Sequence, residues 1–158
     1  MRRAFVDNIL LQMKNNDTIV VITADMGYGL WDKVRDTYPT RFFNVGSSEQ
    51  LMIGCAAGMA MEGKTPICYS ITPFAIYRPF EFIRNFMQFD KIPIKIAGGG
   101  RDKDYGYLGH THWAEEDISV LSNFPEIALY KPNTEEDMGN LLHHYLFNRR
   151  PSYMNLIK

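Results

Sequence analysis

The sequence predicts an α/β fold in which a mostly parallel central sheet carries helices on both faces. Apolar runs of strand length alternate with segments of helical periodicity along the whole chain. The run at residues 18–23 is almost wholly apolar, which is typical of a strand covered on both faces. With 158 residues the chain is long enough for one proper core, so we expect a single domain over residues 1–158.

Six strands are predicted, at residues 18–23, 41–45, 66–71, 93–97, 127–130 and 152–157. A helical segment is expected before the first strand and between each successive pair, because parallel strands need long crossover connections. The first helix is indicated by an apolar stripe of Phe5, Ile9, Leu10 and Met13. Residues 72–78 and the glycine-rich residues 98–112 are predicted to form loops.

The later helices are predicted from their first turns. Ser47 and Gln50 have capping-box spacing, so a helix is expected to begin there. Pro79 suits the first turn of a helix that continues through residue 89. Acidic clusters at residues 115–117 and 135–137 suit the positive ends of two further helices.

Composition excludes several classes of function. Hydrophobic residues make up 46% of the chain and charged residues 22%, with a formal net charge of −1. A near-neutral chain without a basic run gives no reason to expect nucleic acid as a partner. No apolar stretch approaches membrane-spanning length, and no signal-peptide core precedes the first helix, so a cytoplasmic location is expected. Cys55 and Cys68 lie in apolar segments and are interpreted as buried thiols.

The helix after the second predicted strand carries the most informative residues. Glu49 falls in its first turn, where a carboxylate suits the helix dipole even without any further role. Gly54 and Gly58 are four residues apart and so share one helix face. Because glycine is costly inside a helix, we expect this chain's own sheet or a partner to pack closely against that face.

Two further segments contain candidate binding residues. Ile71, Phe74 and Tyr77 follow the third predicted strand, and aromatic faces there suit a flat heteroaromatic ligand. His110 and His112 form a His-x-His pair within residues 109–112. No further ligand at a recognisable spacing completes a metal site, so none is predicted in this chain. His110 can equally be a structural histidine, and its role is left open.

These segments together resemble the transketolase family of thiamine-diphosphate enzymes. The resemblance rests on residues 44–50 (NVGSSEQ), 54–63 (GCAAGMAMEG), 70–77 (SITPFAIY) and 105–118 (YGYLGHTHWAEEDI). It implies the thiamine-diphosphate-binding fold, with residues 1–158 forming a pyrimidine-binding domain.

The resemblance also implies roles for individual residues. Glu49 is similar to the family glutamate that bonds nitrogen N1′ of the cofactor's aminopyrimidine and so promotes loss of the thiazolium C2 proton. The other expected cofactor contacts are Asp25, Met26, Ile71, Phe74 and Tyr77. His112 matches the active-site histidine beside the reacting carbons. The expected substrate contacts are Arg2, His110, His112 and Lys158.

The sequence also departs from the family pattern. It contains no Gly-Asp-Gly motif, which in the family belongs to the domain that binds the diphosphate and its metal. We therefore expect a diphosphate-binding partner, an N-terminal-half transketolase subunit that supplies most of the magnesium or calcium site, in a heterotetramer. Gly100 and Leu108 stand where relatives have a histidine and an aspartate, which predicts an altered sugar specificity. Arg101 and Lys103 are expected to add positive charge near the cleft.

The implied function is that of the small subunit of a split transketolase-like enzyme, which moves a two-carbon ketol unit between phosphorylated sugars. Two alternatives stay open. One is a subunit of a decarboxylating acyloin synthase of the same fold, similar to deoxyxylulose-phosphate synthase or the 2-oxo-acid dehydrogenases. The other is a regulatory subunit without catalytic activity.

Overall fold

The computed structural model describes residues 1–158, and its strands form one six-stranded sheet that is parallel throughout. The strands are Ile19–Thr23 (β1), Phe42–Asn44 (β2), Thr65–Ile71 (β3), Lys95–Gly99 (β4), Ala128–Tyr130 (β5) and Ser152–Leu156 (β6). Their spatial order is β2-β1-β3-β4-β6-β5. The chain reverses direction across the sheet between β1 and β3, which is where open parallel sheets form a ligand crevice.

Helices cover both faces of this sheet. They are Arg2–Asn15 (α1), Asp32–Thr37 (α2), Glu49–Met61 (α3), Thr72–Tyr77 (α4), Phe80–Phe82 (α5), Asp117–Leu121 (α6) and Glu135–Phe147 (α7). A π-helical segment, Ile83–Phe89, continues α5. One core lies between the sheet and α1, α2 and α7, and the other lies between the sheet and α3, α4, the π-helical segment and α6. The predicted α/β class, with helices on both faces, is confirmed.

Two predicted loops are partly wrong. Residues 72–78 contain a helix, α4, because Pro73 occupies its first turn and Ala75 and Ile76 are buried in the core. The strand β4 continues through Gly98 and Gly99 instead of ending at residue 97. A Cβ atom on Gly99 would lie 2.6 Å from the Tyr69 hydroxyl, so glycine is required there by close packing.

The predicted start of α3 also needs correction. The N-cap is Ser48, it makes no side-chain capping bond, and Glu49 is the first helical residue. Ser47 and Gln50 therefore do not form a capping box. The complete capping box in this chain lies at the start of α7, where Thr134 and Asp137 bond each other's backbone.

The glycine face of α3 lies at the protein surface. A Cβ on Gly54 would meet only the Phe82 ring, at 3.5 Å, and one on Gly58 would meet nothing within 4 Å. The expectation that this chain's own sheet packs closely there is therefore wrong. Leu51 and Met61 of the same helix are 53% and 74% exposed. None of the helices is both long and apolar enough to cross a membrane.

Candidate functional site

The predicted site residues gather at the carboxyl edge of the sheet. Met26 follows β1, Glu49 follows β2, Ile71 ends β3, and Lys158 follows β6. Parallel strands bring these positions to one edge although they are far apart in sequence. The site is therefore assembled by the sheet topology.

Glu49 is a buried carboxylate with one charged partner. Only 3% of the residue is exposed, although it borders a cleft of about 540 Å³ that is also lined by Ser47, Ser48 and Arg78. Its Oε1 accepts a hydrogen bond of 2.7 Å from Nη1 of Arg78. It makes no other side-chain hydrogen bond in the chain, so Oε2 is left without a protein donor.

Phe74 connects Glu49's surroundings to His112. The guanidinium carbon of Arg78 lies 3.8 Å from the centroid of the Phe74 ring. The His112 ring meets Phe74 edge-on, with 5.0 Å between ring centroids. The hydroxyl of Thr111 lies 2.9 Å from Nδ1 of His112 and helps to orient the imidazole.

A second cleft, of about 530 Å³, lies beyond His112. Met26, Ile71, His112 and Arg2 line it, so four of the predicted binding residues share one cavity. Tyr105 lines it too. Apolar walls with a few polar groups at one end are typical of a small-molecule site.

Tyr105 organises the cationic end of this cleft and was not among the residues chosen from the sequence. Its hydroxyl accepts a hydrogen bond of 3.1 Å from Nη1 of Arg2, and Nζ of Lys158 lies 4.9 Å from its ring centroid. Its ring also meets His112, at 5.8 Å. Burial raises the pKa of Tyr105, so the hydroxyl stays protonated at neutral pH.

Gly100 is the counterpart of Tyr105. It has a φ of +93°, and a Cβ atom there would lie 2.2 Å from Cε2 of Tyr105. No side chain at residue 100 is compatible with this ring position. The sequence signal that could have pointed to Tyr105 was the glycine at position 100, since a missing side chain leaves room for a neighbour.

Three predicted site residues stay outside this set of contacts. His110 is exposed, makes no hydrogen bond and does not line the cleft. The Asp25 carboxylate accepts a hydrogen bond from the Tyr28 hydroxyl at the rim, with a backbone φ of 54°. Tyr77 shares α4 with Phe74, but burial and the Glu116 carboxylate nearby raise the pKa of its hydroxyl. Its polar end therefore lies toward α6.

The expectation that Arg101 and Lys103 add charge to the cleft is wrong. Arg101 is buried, and its guanidinium donates to the backbone oxygens of Pro132 and Asn155, at 2.6 and 2.9 Å. Lys103 forms an ion pair of 3.3 Å with Glu115. Both side chains are used to hold the loop before α6 against β6.

No group of three or more His, Cys, Asp or Glu side chains lies close enough in this chain to hold a metal ion. Any metal ligands must therefore come from elsewhere if a metal takes part. The donors at the carboxyl edge are one buried carboxylate, an aromatic face and an imidazole.

An all-parallel sheet with a buried carboxylate and an aromatic ring at its carboxyl edge defines an α/β ligand-binding domain. The chain belongs to the family described as transketolase, pyrimidine binding domain, whose match covers residues 1–158.

Individual relatives agree with this assignment. A subunit of the apulose-4-phosphate transketolase of Actinobacillus succinogenes is 28% identical over 152 residues, which are 96% of this chain and 49% of that protein. The 1-deoxy-D-xylulose-5-phosphate synthase of Clostridium perfringens is 34% identical over 140 residues, 87% of this chain and 22% of that protein. A solved structure described as a split gene transketolase, inactive beta4 tetramer, superimposes with a TM-score of 0.86 at 28% identity.

That superposition covers 98% of this chain and 50% of the solved chain. The chain thus spans about half the length of the transketolase subunits that it matches.

The family implies thiamine diphosphate, and the residues present fit one end of it. A carboxylate without a donor on Oε2, beside the half-buried Phe74 ring, suits a flat ring with a protonatable nitrogen. The diphosphate and its metal have no comparable set of ligands among these residues.

Proposed function

We propose that this chain is the pyrimidine-binding subunit of a transketolase-like enzyme that depends on thiamine diphosphate. The enzyme moves a two-carbon ketol unit between phosphorylated or otherwise anionic sugars. The observation that carries the proposal is the continuous set of contacts from Glu49 through Arg78, Phe74 and His112 to Tyr105. It links a candidate cofactor site to a candidate substrate site.

In this proposal Glu49 holds and exchanges a proton at N1′ of the cofactor's aminopyrimidine. Phe74 and Ile71 bind the apolar ring, and Asp25, Met26 and Tyr77 contribute at the rim of the site. When bound, thiamine diphosphate supplies the electron sink for breaking and forming a carbon–carbon bond next to a carbonyl. The buried surroundings of Glu49 exclude water from the proton that it handles.

His112 is proposed to bind substrate oxygens, because its imidazole lines the cleft and is oriented by Thr111. Arg2 and Lys158 are proposed to bind the anionic group, since both approach Tyr105 at the same end of the cleft. His110 remains a weaker candidate for substrate contact. The similarity to a transketolase subunit named for a sugar phosphate supports the anionic substrate class.

The cofactor's diphosphate end requires a partner. We propose a diphosphate-binding subunit that carries the magnesium or calcium site, in a heterotetramer with two copies of each chain. Support comes from the match to about half of a transketolase subunit, and from the absence of a ligand cluster here. A cytoplasmic location remains part of the proposal.

A second candidate is a decarboxylating acyloin synthase of the same fold. It is favoured by the 34% identity to 1-deoxy-D-xylulose-5-phosphate synthase. The two candidates differ in the donor, which is a ketose phosphate in one and a 2-oxo acid in the other.

Reconstitution tests the proposal. The chain is purified alone and also co-expressed with a diphosphate-binding subunit, and both preparations are measured by light scattering and by calorimetric titration with thiamine diphosphate and Mg²⁺. We expect a heteromer that binds the cofactor and transfers ketol units from ketose phosphates, and a lone chain that does neither. Sub-micromolar, magnesium-dependent binding by the lone chain would contradict the partner requirement. Release of CO₂ from pyruvate as the best donor would favour the synthase.

A further inference from the structure

We propose that Arg78 is a gate that occupies the aminopyrimidine site and must leave before the cofactor binds; this inference rests on the proposed function. Arg78 Nη1 donates to Glu49 Oε1 at 2.7 Å, and the same guanidinium lies 3.8 Å from the Phe74 centroid. One flat cationic group thus contacts both the carboxylate and the aromatic face.

These are the two contacts that the aminopyrimidine would need. A guanidinium is planar, presents its N–H groups in one plane and stacks on aromatic faces. A flat heteroaromatic ring bonded to Glu49 and packed on Phe74 would use the same oxygen-bearing edge and the same ring face. Two flat groups cannot share the space directly above one face, because stacked planes need van der Waals separation.

Arg78 is able to move because it approaches from the solvent side. Its side chain is 47% exposed, whereas that of Glu49 is only 2% exposed. It directly follows the last residue of α4, and the cleft beside it, lined by Ser47, Ser48 and Gln50, opens to solvent. A long side chain in this position can turn outward without disturbing the core.

The pairing also explains how the chain tolerates Glu49 before the cofactor arrives. A buried carboxylate without a partner is costly, and Arg78 is its only charged neighbour within hydrogen-bond distance. When the ring replaces the guanidinium, Glu49 exchanges one partner for another. The gate therefore protects the empty site and competes with the cofactor.

Arg84 provides a matched control. It is an exposed arginine in the π-helical segment, and its guanidinium lies 4.7 Å from the centroid of Phe89 in a similar stacked contact. It donates to Asn85, at 3.0 Å, and not to a buried carboxylate. Arg84→Ala thus removes a stacked arginine without touching Glu49.

The experiment measures thiamine diphosphate binding to the assembled heteromer by titration calorimetry and by stopped-flow fluorescence. We expect Arg78→Ala to tighten the cofactor's apparent Kd by about fivefold, since the apparent Kd is the intrinsic one divided by the open fraction. The wild type should reach a limiting association rate at high cofactor concentration, set by opening, and Arg78→Ala should remove that limit. Arg78→Lys, which keeps the charge but not the flat group, should fall between them, and Arg84→Ala should match the wild type.

Unchanged or weaker binding in Arg78→Ala, with an intact heteromer, would overturn the gate while leaving the proposed function in place. Absence of cofactor binding in every variant would overturn the proposed function and the gate together.

Discussion

At the scale of single residues, the candidate substrate site depends on the two ends of the chain. Arg2 lies at the start of α1 and Lys158 follows β6, yet both approach the ring of Tyr105. The contact between Arg2 and Tyr105 spans 103 positions of sequence. Two cations and a protonated hydroxyl at one end of a cleft are well suited to an anion.

We expect Arg2→Ala and Lys158→Ala each to raise the KM for phosphorylated sugars in the reconstituted enzyme. A hydrogen bond to a charged group contributes about 1.5–3 kcal/mol, which corresponds to roughly tenfold or more in affinity. Steady-state kinetics with phosphorylated and neutral sugars measure the effect. Lys64→Ala, an exposed lysine beside the opposite end of β3, is the control. Equal KM values in all three variants, with neutral sugars as good as phosphates, would contradict the anion site.

Single residues also mark where inference from the sequence stops. Glu49, Phe74 and His112 lie within recognisable segments, and their meeting at one edge follows from the parallel sheet. Arg78 and Tyr105 carry no such signal, because what matters in them is the neighbour that folding supplies. Arg101 misled the prediction for the same reason: a basic residue in a loop was expected in solvent, but its guanidinium is buried under β6.

At the scale of elements, the strands were the most predictable part of the fold. Each buried run is long, apolar and bounded by polar or glycine residues, and that pattern does not depend on what packs against it. Segment 72–78 was harder, since so short a segment gives too little periodicity to distinguish a helix from a loop. Its helix forms because Ala75 and Ile76 are buried between the sheet and α6.

The exposed glycine face of α3 remains without a neighbour in the chain. Phe86 and Ile92 adjoin Gly54, Gly58 and Met61 around a largely apolar depression there. This face begins one turn from Glu49, so a partner that completes the cofactor site could reach it. The prediction that glycine allows close contact with a partner is therefore still to be tested.

We expect Gly58→Ala to stabilise the lone chain by about 0.5–1 kcal/mol, because alanine restricts the unfolded chain and nothing obstructs its Cβ. The same change should weaken assembly with the partner by removing the space for close approach. Gly139→Ala in α7 is the matched control, since its Cβ also meets nothing within 4 Å. Thermal unfolding and analytical ultracentrifugation measure the two effects. Assembly as tight as that of Gly139→Ala would show that the face is not part of the interface.

At the scale of the whole molecule, the proposed function divides one cofactor between two chains. This chain offers a carboxylate, an aromatic face and an imidazole, and it has no cluster of metal ligands. The carbon–carbon chemistry is then possible only in the assembled enzyme. That division is the central claim, and it assigns the proton at N1′ to Glu49 of this chain.

The most direct test is the rate at which the C2 proton of bound thiamine diphosphate exchanges with deuterium. We expect fast exchange in the wild-type heteromer and exchange slowed by about a hundredfold or more in Glu49→Gln, which keeps the side-chain volume but cannot transfer the proton. Glu62→Gln, an exposed glutamate just after α3, should exchange like the wild type. Exchange in Glu49→Gln as fast as in the wild type, in an intact heteromer with cofactor bound, would contradict the account.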